Sequence, residues 1–340
     1  MQMQQRQLAQ TVGAIALQLR RQLRKLLWVV ACCGASVSWA AGIQQVTVPA
    51  AGADPDIKVL LWTPCHEVAT EQSFGPYRLN ATRDCAVTGD QLPLVLISHG
   101  DSGSYLGHHD TAAALADAGF VVAAVLHPGN NFTDNSQQNE LTIFEQRPRH
   151  ISRTIDYLTQ HWSAHRQLDP ARIGMFGFSR GGYTALALLG AAPNKAASAQ
   201  RFCAPWWSFV IPLCRQLGDD TPELHPVADP RIKAAAVIDP LNLFGADSFK
   251  AVQAPVLLWA SELGGDAVEL SHIEAIRSQL AALRGFNVAK GAGHFVFLAP
   301  CPAELQQDAS EICQDPAGVD RAQLHQTLNK SVLAFFQQHL

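Results

Sequence analysis

The sequence predicts an α/β fold, with a mostly parallel central sheet and helices on both of its faces. Three observations carry this. From residue 92 onward, short apolar strands alternate with helical stretches. Residues 92–98 and 120–126 are continuous apolar runs, as befits strands covered on both faces. Residues 177–181 read Gly177-Phe178-Ser179-Arg180-Gly181 at a strand-to-helix junction, and so sharp a turn leaves no room for a Cβ beside the serine.

In chain order, residues 43–48 alternate polar and apolar as an antiparallel edge strand does, and a Pro- and Gly-rich link leads to a second strand at 57–62. An excursion from Cys65 to Cys85 precedes the strand 92–98. A helix over 111–118 ends at Gly119, before the strand 120–126. The helix 147–162 sets Ile151, Ile155 and Leu158 on one face. A strand at 172–176 enters the Gly-x-Ser-x-Gly turn, and a helix over 184–189, stopping at Gly190, leaves it. Strands at 234–238 and 255–260, a helix at 271–283, a short strand at 286–289 and a final helix at 320–338 complete the alternation. No internal repeat or low-complexity linker interrupts it. Residues 191–230 do not fit this pattern. They are Pro-rich and carry Trp206, Trp207 and Phe209, which suits either a cap-like roof over a pocket or a satellite core.

The first forty residues read as an export signal. Arg20, Arg21, Arg24 and Lys25 precede an apolar stretch, and Ser38-Trp39-Ala40 offers small residues for cleavage after Ala40. Val29-Val30-Ala31-Cys32 is a weaker, lipobox-like alternative. The expectation is a signal peptide over 1–40 and a single domain over 41–340, exported to the periplasm or beyond. The signal holds five of the 25 basic residues and none of the 29 acidic ones. The mature chain therefore moves from a net charge of −4 to −9, and its charged residues are sparse at 16%. Such a surface repels phosphate backbones, which argues against nucleic acid as a partner. No later stretch is long and apolar enough to span a membrane.

Six cysteines remain after the signal: Cys65, Cys85, Cys203, Cys214, Cys301 and Cys313. An even set in an exported chain suggests disulfides, although sequence does not choose among the pairings. The local couples Cys65–Cys85, Cys203–Cys214 and Cys301–Cys313 are the expectation. Metal-ligand spacing is absent, and no cofactor is implied.

The chemistry centres on Gly177-x-Ser179-x-Gly181, the nucleophile-elbow pattern. A serine hydroxyl attacks an ester only if a base takes its proton and a carboxylate orients that base. His294, in Gly291-Ala292-Gly293-His294-Phe295 after the last strand, is the expected base. The acid belongs between Ser179 and His294, after a strand. Asp266 is expected there, with Asp239 as the alternative and Glu262 a further candidate. The loop Ser98-His99-Gly100-Asp101 follows a strand and is expected to supply the Asp101 amide to an oxyanion hole, with the Arg180 amide as its partner. His108, His109 and His127 are assigned no chemistry.

Together, Ser98-His99-Gly100, Gly177-Phe178-Ser179-Arg180-Gly181-Gly182-Tyr183, Gly291-Ala292-Gly293-His294-Phe295 and the segment from Cys301-Pro302 to Cys313 resemble the predicted dienelactone hydrolase family of bacterial α/β-hydrolases. That family is similar to the platelet-activating-factor acetylhydrolases. The resemblance spans residues from about 57 to the C-terminus. It implies the α/β-hydrolase fold and serine ester hydrolysis by Ser179, Asp266 and His294, with the Asp101 and Arg180 amides at the oxyanion. Dienelactone hydrolases proper use a cysteine nucleophile, so their substrate does not carry over. In the plasma acetylhydrolase branch the acid follows the earlier strand, which keeps Asp239 in play. The expectation is a monomeric esterase acting on small-molecule esters with short chains. A lipase or polyester hydrolase, an amidase and a non-catalytic ligand-binding homologue are the alternatives.

Overall fold

The computed structural model describes residues 40–203, 208, 210–218 and 222–340. The expected signal peptide over residues 1–40, except Ala40, lies outside the described residues, as do Trp206, Trp207 and Phe209.

Ten strands form the sheet: β1 (Ala40–Val48), β2 (Ile57–Cys65), β3 (Thr70–Phe74), β4 (Tyr77–Arg83), β5 (Leu92–Ser98), β6 (Val121–Leu126), β7 (Leu168–Phe178), β8 (Ile232–Ile238), β9 (Val256–Ser261) and β10 (Leu283–Ala289). Their order is β10-β9-β8-β7-β5-β6-β2-β1-β4-β3. The strands β5 to β10 pair in parallel, whereas β2 is antiparallel to both β1 and β6. The helices are α1 (His109–Asp117), α2 (Ile143–Gln160), α3 (Arg180–Leu188), α4 (Lys195–Phe202), α5 (Pro212–Gly218), α6 (Leu270–Gln279), α7 (Ala303–Asp308), α8 (Ser310–Cys313) and α9 (Arg321–His339).

The apolar strands divide their side chains between two cores. In β5, Leu94 and Leu96 join one, with Ile151 and Ile155 of α2 and Ile273 of α6. Val95 and Ile97 join the other, with Leu115 of α1 and Val332 and Phe336 of α9. Both faces of the sheet are thus buried, which is why these strands carry no polar alternation.

Two elements depart from the sequence-based expectation. The excursion between Cys65 and Cys85 is itself a hairpin, with β3 and β4 joined through Gly75-Pro76, and Gly75 at φ +57 supplies the positive φ such a turn needs. Helix α2 starts at Ile143, four residues before the expected start, and takes Pro148 into its interior. A proline one residue past Arg147 reads in sequence as a first-turn proline, the position helices tolerate best. The cysteines pair as Cys65–Cys85, Cys203–Cys214 and Cys301–Cys313, each closing one local loop. The second of these ties the end of α4 to α5, within residues 191–230.

Candidate active site

Strand β7 ends at Phe178 and α3 begins at Arg180, so Ser179 alone makes the turn, at φ 55 and ψ −118. A residue with a side chain held there stores strain of order 1–3 kcal/mol, which the surroundings must overcome. They do so with three backbone hydrogen bonds: Ser179 N donates to Ile238 O at 3.0 Å, and Ser179 O accepts from Tyr183 N at 3.1 Å and Leu241 N at 3.0 Å. The flanking glycines are obligatory. A Cβ on Gly177 would lie 2.1 Å from Gly181 O, and one on Gly181 1.8 Å from Ser98 O.

His294 opens a short 3-10 turn (His294–Phe297) beyond β10, and its ring stacks on Phe178, the neighbour of the serine, at 4.6 Å between centroids. Its Nδ1 lies 2.7 Å from Oδ2 of Asp239. Asp239 is fully buried, directly after β8, and also accepts from Ser261 Oγ at 2.6 Å and Ser261 N at 2.9 Å. With Nδ1 donating to a carboxylate, His294 Nε2 carries the lone pair, and among the described residues this buried atom has no hydrogen-bond partner.

This corrects the expectation for the acid, since Asp239 rather than Asp266 meets the imidazole. The reason lies in the backbone. Gly264, Gly265, Asp266 and Ala267 all have positive φ, and the resulting bend leaves Asp266 exposed on the rim. What this loop offers the histidine is main chain: His294 N donates to Gly264 O at 2.8 Å. Glu262 is engaged elsewhere, by Lys290 and Gly291 N.

Asp101 and Arg180 meet through their side chains. Arg180 Nη1 is 3.1 Å from Asp101 Oδ1 and donates to Gln138 O at 2.8 Å. The Asp101 carboxylate also accepts from Asn130 Nδ2 at 2.6 Å and Gln138 Nε2 at 2.7 Å. Burial lowers the Arg180 pKa, and Asp101 and Asp266 partly restore it. As the first residue of α3, Arg180 has an amide with no intrahelical acceptor.

Behind this loop lies a residue for which the sequence offered no motif. Arg147 of α2 is fully buried and donates to His99 O, to Gly100 O at 3.3 Å, to Asn130 Oδ1 at 2.7 Å and to Ser98 Oγ at 3.2 Å. His99 Nδ1 donates to the same Gly100 carbonyl at 2.7 Å. A trans peptide is planar, with its C=O and N–H pointing in opposite directions. Holding the Gly100 carbonyl toward the interior therefore turns the Asp101 N–H away from Arg147. Burial, and then the charge of Arg180, lowers the Arg147 pKa to about 9, so it is still a cation at neutral pH. His99, His127 and His150 surround it, and burial followed by the Arg147 charge depresses all three, with His150 near 3. They are neutral hydrogen-bonding groups here, as when His127 Nε2 meets Ser98 Oγ at 2.8 Å.

A second histidine-carboxylate pair supports the His294 turn from below. His325 of α9 meets Asp110 of α1 at 2.6 Å through Nδ1 and donates from Nε2 to Val296 O at 2.9 Å. Burial on its own would raise Asp110, but the hydrogen bond and charge of His325, with Asn329, hold it well below the usual carboxylate range. His325 is visible in the sequence only as one of thirteen histidines.

The sharp serine turn at the carboxyl edge of a mostly parallel sheet, with a histidine loop beyond the last strand, defines the α/β-hydrolase fold. Residues 82–236 match the model of the dienelactone hydrolase family. Among solved structures it is similar to a ferulic acid esterase from Streptomyces cinnamoneus, with a TM-score of 0.62 at 19% identity, over 90% of this chain and 91% of that one. A comparison with curated protein sequences finds no match.

Proposed function

We propose that the protein hydrolyses short-chain carboxylic esters through an acyl-enzyme, with Ser179 as nucleophile, His294 as base and Asp239 as the acid that orients it. One observation carries this reading: a buried histidine, beside a serine in elbow geometry, has one ring nitrogen on a carboxylate and the other without a partner. Ser179 Oγ attacks the ester carbonyl and passes its proton to His294 Nε2. The amides of Asp101 and Arg180 stabilise the oxyanion, and Nε2 then returns the proton to the departing alcohol. Water repeats the sequence on the acyl-enzyme and releases the acid. No cofactor takes part.

Support for a short acyl group comes from the space around Ser179. It measures about 230 Å³ and is lined by Ile211, Leu213, Leu217, Leu241 and Leu243. The three disulfides are consistent with export, and no helix among the described residues is long and apolar enough to cross a membrane. We infer a cleaved signal over residues 1–40, followed by one monomeric domain in which Phe202, Ile211, Leu213 and Leu217 line the nucleophile's cleft. The test is turnover of p-nitrophenyl esters of rising acyl length, with Ser179→Ala as control and a phosphonate probe whose adduct is mapped by mass spectrometry. Preference for acetate and butyrate, with the adduct on Ser179, is expected. A folded protein that turns over none of these esters and takes no adduct would exclude it.

A further inference from the structure

A second cavity, of about 400 Å³, lies on the other side of the oxyanion loop from the nucleophile's cleft. Asp101 faces the cleft, and its neighbour Ser102 begins the wall of this cavity. The opposite side is built by Leu298 and Ala299, which follow the His294 turn, and Ala299 N donates to Gly107 O at 2.9 Å to close the seam. No residue lining it carries a charge, and four aromatic rings, those of Phe74, Tyr77, Tyr105 and Phe132, face it. Three of its side-chain hydroxyls are already engaged. Ser102 Oγ accepts from Asn135 and Gln138, Ser104 Oγ from Leu106 N, and Tyr105 OH from Gln45. Phe132 stands at the edge with 60% of its surface exposed, an apolar ring left in water unless something covers it.

Two disulfides hold the walls. Phe74 and Tyr77 belong to the hairpin inside the Cys65–Cys85 loop, and Leu305 and Ile312 lie inside the Cys301–Cys313 loop. Short segments with little core of their own are fixed in place in this way around the apolar cavity.

We propose that this cavity receives the alcohol portion of the ester, and that the preferred alcohol is neutral and bears an aromatic or similarly bulky apolar group. The inference rests on the ester-hydrolase reading above. Its direction follows from proton transfer: His294 Nε2 must protonate the departing oxygen, so the alcohol leaves on the histidine side, where residues 298 and 299 form the wall. The acyl group then occupies the smaller cleft at Leu241 and Leu243.

The test compares 2-phenylethyl acetate with ethyl acetate, two esters with the same acyl group and similar leaving groups, against ethyl 3-phenylpropanoate with ethyl propanoate. The kcat/KM ratio of the first pair is expected to favour the phenylethyl ester and to fall at least tenfold in Leu305→Trp, which fills the cavity. It should fall at least threefold in Phe132→Ala, whose exposed position spares the fold, while the acyl pair's ratio stays within twofold. Separately, fluorescence titration of 2-(2-naphthyl)ethanol into the Ser179→Ala protein should saturate at one site and be blocked by Leu305→Trp. If the acyl ratio moves instead, or neither variant shifts the alcohol ratio or the titration, the assignment is overturned with the esterase reading intact. If no ester is cleaved but the titration behaves as stated, the esterase reading fails while the apolar site stands.

Discussion

Replacing Asp239 with asparagine separates the two candidate acids. The side chain is nearly isosteric, and one oxygen can still accept from Ser261 N, as Asp239 does at 2.9 Å. The difference falls on Oδ2, which accepts from Ser261 Oγ at 2.6 Å and from His294 Nδ1 at 2.7 Å. An amide placed there presents N–H to a ring that also donates. His294 relieves the clash by moving its proton to Nε2, and a protonated Nε2 cannot take the serine proton. Loss of the charge also removes the partner of the imidazolium formed in the transition state. In a buried site these effects together are expected to lower kcat by about 10⁴, or about 5.5 kcal/mol of barrier, with KM little changed. Asp266→Asn removes a charge from an exposed rim and is expected to leave kcat within about threefold. The assay is steady-state hydrolysis of p-nitrophenyl acetate, with thermal unfolding as a check that both variants are folded. A large kcat loss in Asp266→Asn, or more than a tenth of wild-type kcat in Asp239→Asn, would refute the reasoning.

The remaining expectations concern stability. Asp110, held below its ordinary pKa chiefly by His325, contributes stability that is present above about pH 4, the unfolded value, and lost as pH falls through the folded one. Urea unfolding at pH 5 and pH 3 should therefore differ less in Asp110→Asn than in wild type, and an unchanged difference counts against the His325 pair. His150 is depressed to about 3, so an unfolded chain binds a proton below about pH 6.5 that the folded chain refuses. Stability falls as pH drops through that window, and His150→Gln should remove about 1.4 kcal/mol per pH unit from the slope. The double replacement Cys301→Ser and Cys313→Ser opens a loop of sequence separation 12 and should cost about 2–3 kcal/mol in urea unfolding.

What the sequence disclosed, and what it withheld, follows from the range of the interactions. Continuous apolar runs report burial on both faces, so β5 to β9 are legible without partners. The Gly177 and Gly181 requirement is legible too, because it arises from contacts around a single turn. The choice between Asp239 and Asp266 is not. Both follow strands, and what separates them is a bend of four positive-φ residues, of which only Gly264 and Gly265 announce themselves. Gly264-Gly265 just before Asp266 was the available clue, since two glycines in succession let a loop swing its next side chain outward. The β3–β4 hairpin was legible in Gly75-Pro76 between runs containing Thr70, Phe74 and Tyr77, but mostly exposed strands lack the apolar signature that marked the others. Arg147 and His325 could not be found at all. Each acts across long sequence distances on backbone carbonyls, which have no residue identity for a motif to record.

Arg147 also supports the final prediction. A buried cation is costly unless its protons are matched, and here the Nη groups donate to oxygens of the loop from Ser98 to Gly100 and to Asn130, which in turn holds the Asp101 carboxylate, while Nε has no partner among the described residues. The same hydrogen bonds fix the plane of the Gly100–Asp101 peptide, so satisfying the guanidinium and aiming an oxyanion donor are one structural requirement. Arg147→Met keeps much of the packing and leaves the Gly100 carbonyl to His99 Nδ1 alone, which loosens that plane. Losing one oxyanion donor typically costs about 2.7–4 kcal/mol, so kcat is expected to fall about 10²–10³-fold. Arg147→Lys, reaching fewer acceptors from a single nitrogen, should fall between Arg147→Met and wild type. A merely structural role would lower stability and move KM and kcat without pattern. A positioning role leaves KM nearly constant and weakens a trifluoromethyl ketone inhibitor, whose adduct places an anionic oxygen in the hole, by the same factor as kcat. Inhibitor affinity that survives in a folded Arg147→Met protein of reduced kcat would show that the peptide plane is held by something other than this guanidinium.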